Sequence, residues 1–346
     1  MQLGLNIGYG GTAETLQIVQ EADRLGYSVA WAAEAYGTDA VTVLTWIAAQ
    51  TENIDVGSAI LQIPARTPTM TAMTAATLDM LSNGRFRLGL GLSGPQVSEG
   101  WHGVPFAKPL GRTREYVDIV KLALSRQRVK YDGPTYTLPL PDGPGKALHL
   151  MLHPVRDHIP LYIASIGPKN LELTGEVADG WLSVFFAPSF AGELLDHLAA
   201  GRAKVGKTLD GFDIVPTVPL VVGDDVEACA NNVRHYAALY IGGMGSREHN
   251  FYNALAVRMG YGDAASDVQD RYLAKDYDGA AAAVPFEFVD STALLGPVDR
   301  VAERMAEFAA AGVTNMAISP FGWTTEEKMA SLEAAMNALQ KSGAAE

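Results

Sequence analysis

The chain has 346 residues, 48% of them hydrophobic, and 26 Lys and Arg against 39 Asp and Glu give a formal net charge of −13. That apolar content excludes wholesale disorder. The acidic balance excludes a general nucleic-acid or anionic-membrane binder, so an anionic ligand would need a local cluster of basic groups or helix N-termini.

Met1–Gly8 has no basic n-region or long apolar run, and no leader is expected from it. Leu3–Ile7 reads as a buried strand closed by Gly8, Gly10 and Gly11. Thr12 can cap a helix that buries Leu16, Val19 and Leu25 and stops at Gly26. Strand Ser28–Ala33, helix Ala40–Gln50, strand Ile54–Ile60, helix Thr69–Leu81 and strand Arg85–Gly91 follow. Ser93–Thr113, rich in Gly and Pro, reads as a loop before helix Arg114–Leu124. Val129–Leu138 alternates around Asp132-Gly133-Pro134 and suggests a strand or hairpin. The rhythm resumes with strand Leu161–Ala164, helix Lys169–Ala178, strand Gly180–Ser183, helix Pro188–Lys204, strand Asp213–Val222 and helix Val226–Ile241. Cys229, the one cysteine, lies in that last helix as a packed thiol and fits a reducing cytoplasm. After a second irregular segment come helix Pro297–Ala311, strand Asn315–Ser319 and helix Glu326–Leu339. No apolar run of about 18 residues suggests a membrane span.

Strands without polar alternation, separated by helices, mark a buried parallel sheet. Eight such units fit a single (β/α)8 TIM barrel over 1–346, with insertions at about 93–158 and 242–290. An open doubly wound sheet is the competing architecture. In a barrel the reactive groups follow the strands. That rule singles out Gly8 and Tyr9, Glu34 to Gly37, Leu61 and Gln62, Ser93 to His102, Ser165 to Lys169, Val184 and Phe185, and Pro320 and Phe321. Glu34 and Glu99 are the main carboxylates of this set and His102 its histidine. Such a lining suits holding a flat conjugated ring, with the hard chemistry left to a cofactor.

Gly89-Leu90-Gly91-Leu92-Ser93-Gly94 matches G-x-G-x-x-G, but Pro95 and a loop follow where a Rossmann unit needs a helix. These glycines are expected to let a ligand approach the backbone. Ser93 is not in a nucleophile elbow, because Pro95 replaces the required glycine. His149, His153 and His158 flank Pro154 on a non-helical stretch, so no metal site is expected. Gly167-Pro168-Lys169-Asn170 opens a helix after strand five, where free N–H groups, the helix dipole and an ammonium make a ready phosphate site.

Six segments, Ala30–Ala40, Gly57–Leu61, Arg85–Gln96, Glu99–Gly103, Ile166–Asn170 and Ala178–Trp181, carry a family likeness in this order. Together they resemble the luciferase-like monooxygenase superfamily, and within it the branch that uses coenzyme F420, a deazaflavin. The likeness spans essentially the whole chain and is similar to methylenetetrahydromethanopterin-reductase-like members. It implies a cis peptide at Ala59–Ile60 that backs the ring, with Gln62 beside it. It places Glu34 near the ring. Where many relatives carry a histidine after that acid this chain has Ala35. It sets Ser93, Gly94 and Ser98 against the ring and ribityl chain, and Ile166, Gly167, Pro168 and Lys169 on the phosphate. Glu34, Glu99 and His102, with Tyr36 behind them, are the candidate proton donors or acceptors. Lys108, Arg112, Arg114 and Arg247 could meet the cofactor's oligoglutamate tail, and Arg247, Asn250, Phe251 and Tyr252 lie in an insertion expected to shape specificity. FMN with a monooxygenase activity, and a non-catalytic flavin carrier, are the alternatives. A small-molecule substrate and a homodimer are expected.

Overall fold

Eight parallel strand positions close on one another in the computed structural model, which describes residues Met1–Ala345. The chain runs β1 (Gln2–Gly8), α1 (Ala13–Leu25), β2 (Val29–Ala32), α2 (Ala40–Ala48), β3 (Asp55–Ser58), β4 (Leu61–Gln62), α3 (Pro68–Leu81) and β5 (Phe86–Gly91). It continues through α4 (Pro95–Gly100), α5 (Pro109–Leu124), the hairpin β6 (Tyr131–Asp132) and β7 (Thr137–Leu138), β8 (Leu161–Ala164), α6 (Pro168–Val177) and β9 (Gly180–Val184). Then come α7 (Ala191–Lys204), β10 (Asp213–Val222), α8 (Val226–Ala238), α9 (Phe251–Arg258), α10 (Gly262–Leu273), α11 (Tyr277–Ala283) and α12 (Phe286–Thr292). The last elements are β11 (Leu294–Gly296), α13 (Val298–Ala310), β12 (Asn315–Pro320) and α14 (Thr325–Ser342).

Around the barrel the order is β1, β2, β3, β5, β8, β9, β10, β12 and back to β1. β3 and β4 act as one interrupted strand, since both pair with β5. The predicted strand Ile54–Ile60 is therefore broken, and the Ala59–Ile60 peptide in the break is cis. β11 is an added strand that pairs with Leu220–Val222 of β10, beyond the residues that pair with β9.

The interior is filled rather than hollow. Val29, Trp31, Tyr162, Leu182, Val215 and Ala317 form its core, with Trp31 and Tyr162 edge to face at 5.2 Å. Two glycines make this packing possible. A Cβ on Gly57 would lie 2.4 Å from the Trp31 ring, and one on Gly89 would lie 1.8 Å from the Ser58 carbonyl. Gly89 and Gly91 thus make room for neighbouring strands, with Ile60 at 2.9 Å from a Gly91 Cβ. The N-terminal end is closed by charge pairing: Arg87 Nε donates to Asp55 (2.7 Å) and the Tyr162 hydroxyl to Asp213 (2.6 Å). With the floor sealed, ligand access is left to the C-terminal ends of the strands.

The loops hold more helix than their composition suggested. Pro95 starts α4 with Gly94 as its cap, and α5 begins at Pro109, inside the segment read as loop. The second insertion is helical throughout α9 to α12, joined to α8 by a π-helical turn, Leu239–Gly243. Among the described residues no helix is long and apolar enough to cross a membrane.

Candidate active site

Glu34, placed beyond β2, is the most heavily engaged side chain at the mouth. Its carboxylate accepts from Arg66 Nη1 (2.5 Å) and Nη2 (2.7 Å), from the Ala40 N–H (3.3 Å) and from the Gln62 N–H (3.2 Å). Each oxygen takes two bonds, which leaves little lone-pair capacity for a substrate proton. The side chain is 8% exposed and that of Arg66 16%. Arg66 also reaches Asp39 at 2.8 Å. Burial opposes the charge on Asp39, but bonds from Thr42 and the Arg66 charge hold its carboxyl below the usual range.

Gln62 joins the next two candidates. Its Nε2 donates to Ser93 Oγ (2.8 Å) and its Oε1 meets His102 Nε2 (2.8 Å). An amide oxygen only accepts, so His102 carries its proton on Nε2 and keeps its lone pair on Nδ1 when neutral. Ser93 has a left-handed backbone, φ 57°, unusual for a residue with a Cβ. Ser98 is buried and spends its hydroxyl on the Val104 carbonyl (2.7 Å). Glu99 is exposed and accepts from the Phe106 N–H (2.8 Å). Both tie the α4 loop together.

Ile166, Gly167, Pro168 and Lys169 form the turn into α6. The Asn170 and Leu171 amides fold back onto the Gly167 carbonyl at 2.9 Å, and Pro168 has no N–H. The Lys169 amide and exposed ammonium remain as donors at the helix start. Arg258, at the end of α9, donates to the Ile166 carbonyl (2.9 Å) and pairs with Glu193 (2.8 Å). Asn170 Oδ1 is buried without a partner, an acceptor that a ligand hydroxyl would satisfy. Gly94 caps α4 through its backbone.

Arg66 and Arg258 were not singled out in the sequence. The signal for Arg66 was indirect: a buried carboxylate such as Glu34 needs a cation, and Arg66 follows Gln62 by four residues. Of the cations proposed for an acidic tail, Arg114 is paired with Glu176 and Arg247 with Asp270. Arg112 donates to the Pro105 carbonyl (2.8 Å), and Lys108 is exposed. Asn250 is no wall of the site. It caps α9 through Tyr252 and Asn253 and donates to the carbonyls of Tyr240 and Ile241.

A cleft lies beside the ends of β10 and β12 and the start of α14, among Val221, Phe321, Trp323, Glu327 and Ser331. Its carboxylate, Glu327, is occupied by the Trp323 and Thr324 amides.

Comparison with known proteins places this geometry. The model of the luciferase-like monooxygenase family matches residues 2–315. A Mycobacterium tuberculosis protein named as a coenzyme F420-dependent oxidoreductase is 42% identical over 92% of this chain and 95% of its own length. The 5,10-methylenetetrahydromethanopterin reductase of Archaeoglobus fulgidus is 31% identical over 88% of this chain and 89% of its own. The solved F420-dependent tetrahydromethanopterin reductase of Methanopyrus kandleri shares the fold, with a TM-score of 0.82 at 22% identity over 96% of this chain and 97% of that one. With a family match over residues 2–315 and a barrel whose chemistry gathers at the strand ends, the chain belongs to the luciferase-like monooxygenase family.

Proposed function

We propose that the protein is a coenzyme F420-dependent oxidoreductase that transfers a hydride between the deazaflavin and a small organic substrate. The observation that carries this reading is one continuous arc of the barrel mouth. β3–β4, β5 and β8 are neighbours, and beyond them stand the cis peptide, the Gln62–Ser93–His102 chain and the Lys169–Arg258 corner. The donor set fits the group: amides and cations for a phosphate, the Asn170 acceptor for a polyol hydroxyl, and an uncharged backbone wall for a flat ring. When bound, a deazaflavin supplies a carbon that carries a hydride.

Within this reading Ala59, Ile60, Gln62, Ser93 and Gly94 hold the ring side, and Ile166 to Lys169 with Arg258 hold the phosphate. Ser98 keeps the α4 loop in place. His102 is the proton-handling group, with its lone pair fixed on Nδ1 by Gln62. Glu34 is a positioning residue whose four bonds set Gln62. Glu99 braces the loop through Phe106. Lys108 and Arg112 remain the cations for an acidic tail.

The test is equilibrium binding of the purified protein to F420 and to FMN, followed by oxidation of reduced F420 across ketones, enones, imines and pterins. Submicromolar F420 binding without FMN binding is expected. FMN binding alone would overturn the assignment, and F420 that binds but is never turned over would make the protein a carrier.

A homodimer in the cytoplasm completes the proposal. α2 contains no charged residue and the one charge of α3, Asp79, is fully buried. Met70, Met73, Met80 and Leu81 are exposed on α3, an apolar face that suits a second copy of an acidic chain. The lone cysteine, buried and free, suits a reducing compartment.

A further inference from the structure

The half of the mouth opposite the proposed cofactor arc is made almost entirely of aromatic residues. Phe185 follows β9, Phe321 follows β12, Tyr9 follows β1 and Tyr36 follows β2. Tyr236 comes from α8, Tyr240 from the π-helical turn after it, and Tyr252 from α9. Phe185, Tyr236, Tyr240, Tyr252 and Phe321 touch one another as a set. Tyr240 lies 4.8 Å from both Tyr236 and Tyr252, centroid to centroid, and Phe185 lies 5.7, 5.6 and 6.3 Å from Tyr236, Tyr240 and Tyr252. Tyr236 also meets Phe321 at 5.9 Å.

The strongest electrostatic neighbours of Tyr9, Tyr236, Tyr240 and Tyr252 are other phenols, not carboxylates or cations. Burial pushes the Tyr9 hydroxyl up to about 12 and raises the other three as well. These groups are therefore neutral donors throughout the physiological range. Yet Tyr236, Tyr240 and Tyr252 each keep a solvent-accessible portion, and Tyr9 is 48% exposed. The rings are thus crowded by protein on several sides without being wholly enclosed.

We propose that Tyr9, Tyr36, Tyr236, Tyr240 and Tyr252, backed by Phe185 and Phe321, form the substrate subsite, and that it takes a neutral, flat, unsaturated carbonyl compound whose oxygen accepts from the phenols. Aromatic walls favour a flat apolar body, and uncompensated burial disfavours an anionic one. The proposal rests on the F420 reading for its reaction, but the subsite is a property of this chain.

The test uses benzylideneacetone as a neutral enone and its ring-carboxylated analogue as an anionic control. Binding of each is followed by calorimetry with the protein alone and with the protein saturated with F420. The neutral enone should bind at least tenfold more tightly than the carboxylate. Tyr240→Phe and Tyr252→Phe should each weaken it about five- to tenfold, while F420 affinity stays within twofold. Thermal midpoints of the variants check that they fold. Equal binding of the two probes, or unchanged enone affinity in both variants, would overturn the subsite. Loss of F420 affinity in parallel would also overturn it, by assigning the phenols to the cofactor. If F420 fails to bind while the enone binds as described, the cofactor reading falls and the subsite stands.

Discussion

Replacing Arg66 by Met removes the cation that holds Glu34 and leaves a carboxylate 8% exposed without its charge partner. Removing one partner of a buried ion pair costs about 3–5 kcal/mol, because the remaining charge stays desolvated. Here the Ala40 and Gln62 amides still donate to Glu34, at 3.3 and 3.2 Å. They offset part of the loss, and about 2–4 kcal/mol remains. In a chain of this size that lowers the thermal midpoint by roughly 3–6 °C. Glu34→Gln alone leaves Arg66 with Asp39 at 2.8 Å and should cost less. The double variant removes both charges and should cost less than the two single changes together, with a coupling of at least about 1.5 kcal/mol.

Urea unfolding of the four proteins measures this cycle, and F420 titration of the same set reads the site. The Gln62 amide rests on Glu34, so Arg66→Met should also weaken cofactor binding by about tenfold or more. If Glu34 only positions, Glu34→Gln should keep turnover within about tenfold. If it exchanges a proton, turnover should fall by about 10²–10⁴. A cost for Arg66→Met below about 0.5 kcal/mol, or additive single changes, would refute the view that this pair sets the mouth.

Arg258→Ala should reduce affinity for F420 about tenfold and leave affinity for the phosphate-free deazaflavin chromophore unchanged; equal losses would remove Arg258 from the phosphate corner. Asn250→Ala deletes four hydrogen bonds of a residue only 5% exposed, and should lower stability by about 2–4 kcal/mol in denaturant unfolding. Phenolate absorbance on alkaline titration should lag behind that of free tyrosine. Burial raises Tyr9 to about 12 and raises Tyr236 and Tyr252 too, against an unfolded value near about 10. The folded chain then holds more protons, so this stability is complete below about pH 10 and is lost as pH climbs toward about 12. Met70→Glu with Met73→Glu should shift sedimentation from dimer to monomer; an unchanged sedimentation coefficient would move the interface off α3.

The eight strand positions were legible because buried parallel strands are short unbroken apolar runs, and Leu88, Leu161, Leu220 and Met316 all sit fully inside. The same uniformity hid the break in the third strand. Ile54–Ile60 is apolar on both sides of the cis bond, and the resemblance alone pointed to Ala59. α4 was missed because Gly94-Pro95 has the composition of a loop, although proline is well placed at a helix start. The helices α9, α11 and α12 are only seven or eight residues long, too short for their periodicity to outweigh the glycines around them. Glu34, Gln62, Ser93 and His102 were named from their positions after strands. What joins them was not visible, since Arg66 meets Glu34 across 32 residues and Arg258 meets Ile166 across 92.

The helix α9 makes the two halves of the mouth a single device. Its first turn carries Tyr252, edge-on against Tyr240, and its last residue is Arg258, which holds the Ile166 carbonyl just before α6. Eight residues of helix span about 12 Å, so one rigid element reaches from the phenolic wall to the cationic corner. Asn250 fixes its N-terminal end to the π-helical turn, and Asn253 pins it to the Ile241 and Ala265 carbonyls. A ligand that tightened the corner where Arg258 meets Ile166 would therefore act on the position of Tyr252. The insertion that departs most from the β/α rhythm is thus the part that links where a cofactor would be anchored to where a substrate would be chosen.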